Sequence, residues 1–192
     1  MNRTSSVDQL IAPDPARMRK VLFILSELED EDVEWIANNG DRLRYPVGAE
    51  IIAFNSHVDS VYFVLDGTFS VLSGNDEQIV ELSNGEIIGE MSLVDPARTT
   101  ASVRANEGAA ALRLSHARLR EKLDADAPFA ARFYRALSVF MSARMRQTTR
   151  RFGYGALSEP VEPQAEEISE EMLAKAHRAS LRFERLLKRM AS

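Results

Sequence analysis

The chain has 192 residues, no cysteine and a formal net charge of −5, so disulfides and thiolate chemistry are excluded and a general binder of nucleic acid or anionic membrane is not expected. With 45% hydrophobic and 28% charged residues it reads as one soluble domain with an appendage. No early apolar run nears the ~20 residues of a membrane span, and Pro13 and Pro15 do not suit a signal peptide, so the expected location is cytoplasmic.

Residues 1–16 are polar and broken by proline, an arm ahead of the fold. Met18, Val21, Leu22 and Leu25 then recur at helical spacing and predict a first helix. The acidic run at 29–32 suits the positive end of a second, short helix, and Gly40 suits its stop. That run reads as a solvated first turn rather than a metal site.

From Asp41 the texture changes to short β-rich runs, RLRYPVGAEIIAF, SVYFVLDGTFSVLSG and EQIVELSNGEIIG, separated by glycine-bearing turns. Asp66-Gly67, between two such runs, predicts a tight hairpin. Two more strands are expected at 101–105 and 110–114. Several short strands at this spacing indicate a sandwich or a rolled barrel.

Among these strands residues 85–103 read GEIIGEMSLVDPARTTASV. Gripping a small cyclic phosphodiester needs a guanidinium and backbone N–H groups for the phosphate. It also needs an ionised acceptor for a sugar hydroxyl, and glycine where backbone approaches ligand. Gly89-Glu90, a short apolar turn, and Arg98-Thr99-Thr100 supply those parts in order. A structural ion pair closing a loop is the plainer reading of Glu90 and Arg98.

Beyond Ser115 the pattern is helical again. Phe129, Phe133, Leu137, Phe140 or Met141, and Met145 form an apolar stripe on a helix ending near Gly153. The stripe packs on its own roll or pairs with a second copy. Arg144, Arg146, Arg150 and Arg151 suit the helix's negative terminus. An acidic, proline-containing linker at 156–171 leads, with Ser169 as N-cap, to a last amphipathic helix carrying Met172, Phe183, Leu186, Leu187 and Met190. His57, His116 and His177 show no ligand spacing and are expected at the surface or in loops. With no clustered metal ligands and no nucleophile–base–acid set, the chain does not read as an enzyme.

Residues 85–103 resemble the phosphate-binding cassette of the cyclic nucleotide-binding domain, the domain of catabolite activator protein, of the regulatory subunits of cyclic AMP-dependent protein kinase, and of cyclic nucleotide-gated channels. The resemblance covers about residues 17–150, with Gly48, Gly67 and Gly85 matching family glycines at strand turns. It implies an α+β fold: an eight-stranded antiparallel β-roll of the double-stranded β-helix or jelly-roll type, flanked by N-terminal helices and a long C-terminal helix, with a helical C-terminal extension. The implied division is an arm at 1–16, the domain at 17–152, and linker plus helix at 153–192.

By that similarity Glu90 accepts from a ribose 2′-hydroxyl and Arg98 binds the cyclic phosphate. Gly89, Met91, Thr99 and Thr100 complete the cassette, and Val71, Ile79 and Leu82 line the base and sugar pocket. The implied ligand is cyclic AMP or cyclic GMP, with no other cofactor and no metal; Thr99 could donate to a guanine. One departure is visible: Arg98 stands five residues before Val103, where the family's arginine stands four before its strand valine. Either the loop shifts by one residue or Arg98 points elsewhere.

RLRYPVGAEI, VYFVLDG, GEIIGEMSLVD and DAPFAARFYRALS resemble small bacterial stand-alone members without a helix-turn-helix, some of them described alongside bacteriocin-type export systems. Only an acidic linker and one helix follow the domain, so nucleic acid is not an expected partner. The resemblance implies a non-catalytic regulatory module that relays ligand binding through its C-terminal helices to an unknown protein partner. A homodimer through Phe129, Phe133, Leu137 and Met141 is one route. The alternative is a degenerate fold serving as a ligand-independent protein–protein interaction module.

Overall fold

The computed structural model of the protein describes residues 25–151 and 177–185. The N-terminal arm, Met18, Val21, Leu22, the 156–171 linker, Ser169, Met172, Leu186, Leu187 and Met190 lie outside the described residues, as do the side chains of Arg150 and Arg151.

A short helix, α1 (Asp30–Asn39), opens the described fold. Its entry is a reciprocal capping box between Glu29 and Asp32, and it closes where the Gly40 N–H bonds the Ile36 carbonyl. Eight strands follow: β1 (Asp41–Arg44), β2 (Glu50–Ile52), β3 (Ser60–Asp66), β4 (Thr68–Leu72), β5 (Gln78–Ser83), β6 (Ile87–Ile88), β7 (Ser102–Ala105) and β8 (Ala110–Ser115). A five-residue helix, α2 (Glu90–Val94), interrupts them, and α3 (His116–Ala125) and α4 (Ala127–Arg151) come after. Residues 177–185 form a last helical segment, α5.

The strands make two four-stranded antiparallel sheets, ordered β1-β8-β3-β6 and β2-β7-β4-β5. The first sheet serves two cores because side chains alternate along its strands. Tyr62, Val64, Ile88 and Ala111 face the second sheet and meet Phe69, Leu82 and Val103 inside the roll. Val61, Phe63, Leu65, Leu112 and Leu114 face the helices, meeting Ile36, Leu119, Phe129 and Phe133. This is the α+β roll with flanking helices that the resemblance implied.

Two local expectations are corrected. Asp66-Gly67 is not a hairpin, because β3 pairs with β6 and β8 while β4 pairs with β5 and β7. The dipeptide instead carries the chain from one sheet to the other. Gly67 has φ +61°, and a Cβ there would stand 2.6 Å from the Ala109 nitrogen, so the crossing excludes a side chain. The acidic run is not wholly solvated either. Asp32 is buried and takes two bonds from Arg132 of α4, at 2.6 and 2.8 Å.

Of the two readings of the α4 stripe, packing on this chain's own roll is the one found. Phe129, Phe133, Leu137 and Phe140 are buried in this chain's own core, with the Phe129 ring in tilted contact with those of Trp35 and Phe133. Three of the four residues named for a homodimer are therefore unavailable to a second copy. Only Met141 is partly exposed, and Met145, 72% exposed, lies beyond the buried run. The segment α5 closes the helical core from the other side: Ala179 is buried there, and Arg182 donates to Asp30 and to the carbonyl of Leu25.

Candidate functional site

Strand β6 ends at Ile88, and Gly89 then turns the chain into α2 with φ +83°. A Cβ on Gly89 would lie 2.5 Å from the Ser60 carbonyl oxygen of β3, so strand and turn touch backbone to backbone. This close approach puts Glu90, the first residue of α2, underneath the fold, where it is only 2% exposed. Ser92 and Leu93 are buried behind it, while Met91 and Val94 face outward.

The Glu90 carboxylate does not meet Arg98. Its Oε1 accepts a 2.5 Å hydrogen bond from Arg144 Nη1, near the end of α4. The Arg144 guanidinium also lies over the Phe140 ring, 5.1 Å from its centroid. Burial pushes the Glu90 carboxyl above the usual carboxylate range; the Arg144 charge pulls it down and the nearby Glu86 pushes it up again. The reading of Arg144 as one more cation at a helix terminus misses this pairing, because nothing in the local pattern distinguishes it from Arg146.

Arg98 is exposed and its Nη1 donates to the Asn55 carbonyl, 2.9 Å away. The next residue is a clamp. Thr99 Oγ1 donates to the Ala53 carbonyl at 2.6 Å and accepts from the Ser56 N–H at 2.9 Å. Its own backbone bonds both Asn55 and Ser56. The extra residue between Arg98 and Val103 therefore falls in a segment tied to the 53–56 turn, and Thr100 is exposed.

On the roll, Val71 and Leu82 point inward, paired with Val80 and Phe69 respectively. Ile79 does not join them. It sits where the β4–β5 register shifts and is 46% exposed, so Val80 holds the inward place given to Ile79. His116 is likewise not a surface residue: it is buried, and burial with the Arg120 charge pushes its pKa down. Among the described residues no group of acidic or histidine side chains is placed to hold a metal, and no helix is long and apolar enough to cross a membrane.

Residues 42–126 match the family model of the cyclic nucleotide-binding domain. A candidate cyclic nucleotide-binding protein from Geobacter metallireducens GS-15 is 26% identical, covering 69% of this chain and 98% of its own, with a TM-score of 0.57. A cyclic nucleotide-binding domain from Methylobacillus flagellatus KT shares the fold at 20% identity and a TM-score of 0.64, covering 76% and 88%. Uncharacterized NTE family proteins of Mycobacterium tuberculosis and Mycobacterium bovis are 25% identical over 129 residues, 67% of this chain. The chain spans only 22% of the length of those curated relatives.

Proposed function

We propose, from the match of residues 42–126 to the family model of the cyclic nucleotide-binding domain, that this chain is a regulatory module that binds a cyclic nucleotide at residues 89–100 and relays the event through α4. The observation that carries the proposal is the pair of Glu90 and Arg144. A carboxylate suited to a ribose hydroxyl is already held by the helix that would transmit the signal. A ligand that draws on the same carboxylate competes with Arg144 or reorients it, so nucleotide affinity and the position of α4 become linked.

Arg98 supplies the phosphate contact. One of its five donors goes to Asn55, which leaves the rest of the guanidinium for an anion. The Thr99 hydroxyl proton is committed to the Ala53 carbonyl, so Thr99 has no donor to offer a guanine, which favours cyclic AMP over cyclic GMP. Val71 and Leu82, with Val80 in place of Ile79, form the apolar side of the pocket. A protein partner would read the far end of α4, where Met145 is exposed.

Titration calorimetry of nucleotide-stripped protein with cyclic AMP, cyclic GMP and 5′-AMP tests this. Saturable heat with cyclic AMP, lost in Arg98→Ala, is expected. At a hundredfold excess over its dissociation constant the ligand should add about 2.7 kcal/mol of stability. The fixed contacts of Arg98 and Thr99 with the 53–56 turn favour a second reading, a ligand-independent interaction module. Absence of heat with either cyclic nucleotide at millimolar concentration selects it.

A further inference from the structure

The described part of α5 rests on the helical core with little of itself buried. Within residues 177–185 only Ala179 is fully buried; Phe183 is partly buried against the core, and Leu181 is 44% exposed. Its polar ties converge on one spot. Arg182 Nε donates 2.9 Å to Asp30 Oδ1, and Arg185 pairs with the other oxygen of the same carboxylate. Arg182 Nη1 donates to the carbonyls of Leu25 at 2.9 Å and Ser26 at 3.4 Å. The Asp30 side chain is half-exposed, so water and salt screen both pairs.

The surface beneath does not need α5 to keep its form. Helix α1 is set by its own capping box, by the grip of Arg132 on Asp32, and by the burial of Val33 and Ile36. Asp30 is thereby held in the first turn of α1, beside two backbone acceptors and the apolar edge that Phe183 covers. Glu31, exposed in the same turn, adds a second negative charge. Residues 152–176 stand between α4 and α5 in the chain, so α5 is not the next turn of the long helix.

We infer that the surface around Asp30 is a docking site for a cationic amphipathic helix of a partner protein, with α5 as its tethered, autoinhibitory occupant. What α5 presents defines the partner. It needs two arginines at i and i+3 for the carboxylate and the carbonyls, an apolar side chain beside the first, and a small residue one turn earlier, as Arg182, Arg185, Phe183 and Ala179 supply here. A tethered occupant competes at an effective concentration on the order of millimolar, so only a partner that binds more tightly displaces it.

The test is fluorescence anisotropy of a labelled peptide of residues 177–192 titrated with the full chain. Arg182→Ala with Arg185→Ala in the chain removes the tethered competitor and leaves Asp30 in place. The peptide should bind this double variant saturably, about tenfold or more tighter than it binds wild type. Adding Asp30→Ala should take that gain away. Amide exchange in the double variant should quicken at 177–185 and stay unchanged in both sheets. No saturable binding to the double variant up to about 1 mM overturns the inference. So does equal affinity for wild type and double variant, or affinity indifferent to Asp30→Ala. Exchange accelerated through both sheets would make α5 part of the core rather than an occupant, with the same result. A wild-type dimer in sedimentation that the double variant dissolves would hand the site to a second copy's α5, and the separate partner protein falls. No nucleotide enters the test, so it stands or fails independently of the cassette.

Discussion

Arg144 Nη1 lies 2.5 Å from Glu90 Oε1, joining the end of α4 to the first residue of α2 across 54 positions of sequence. Removing the arginine leaves a buried carboxylate with no cation, whereas removing both charges leaves only a packing change. Arg144 is partly exposed, so water replaces some of what is lost. Arg144→Ala should therefore cost about 1–3 kcal/mol in urea unfolding, and adding Glu90→Gln should recover part of it. Additive losses would mean that the pair contributes nothing beyond its separate side chains.

Two buried groups near the cassette titrate with opposite consequences. The Glu90 carboxyl is pushed up by burial, so the folded chain keeps its proton to higher pH than the unfolded chain does. Its contribution is full below the ordinary carboxylate range and falls as pH rises through the raised value. His116 is pushed down by burial and by Arg120, so the folded chain releases the proton first. Its contribution is full above the unfolded value of about 6.5 and is lost as pH falls toward the lowered one. Unfolding midpoints measured against pH should lose the first slope in Glu90→Gln and the second in His116→Asn.

Gly89 and Gly48 share a left-handed backbone, φ +83° and +79°, but not surroundings. A methyl on Gly48 meets nothing within 4 Å, while on Gly89 it stands 2.5 Å from the Ser60 carbonyl. Gly48→Ala should cost about 1 kcal/mol, the backbone strain alone. Gly89→Ala should cost about 2 kcal/mol or more and reduce cyclic nucleotide affinity, because β3 or α2 must shift. Equal thermal shifts in the two variants would remove the argument that the strand–cassette contact sets the position of Glu90.

The elements were legible in the sequence wherever the signal is local. The β-rich runs and their glycine turns mark the eight strands, and the acidic start and Gly40 mark α1, since two-residue alternation and helix ends are decided within a few positions. Asp66-Gly67 misled because the same turn chemistry serves a hairpin and a crossing between sheets; only the pairing of β3 with β8 separates them. Ile79 and Leu82 are three apart and cannot share a face of a regular strand. The burial of Asp32, Glu90 and His116 depends on partners brought by the fold, Arg132 and Arg144 among them. No pattern within one element announces an acceptor or cation that lies 50 to 100 residues away.

Arg132 of α4 grips Asp32 through Nε at 2.6 Å and Nη2 at 2.8 Å, while Asp32 Oδ2 also accepts the Glu29 N–H at 2.7 Å. One carboxylate thus caps α1 and anchors it to the long helix. Because the grip uses two nitrogens in a fixed plane, a lysine cannot reproduce it. Arg132→Lys should cost about 1–2 kcal/mol although the charge is kept, and Arg132→Ala about 3 kcal/mol because Asp32 stays buried. Asp32→Ala removes cap and anchor together and should open α1 locally before the sheets unfold. Amide hydrogen exchange distinguishes the cases: faster exchange confined to 30–39 is the expected pattern for Asp32→Ala. Uniform acceleration across both sheets would show that α1 is part of one global unit rather than a separately anchored helix.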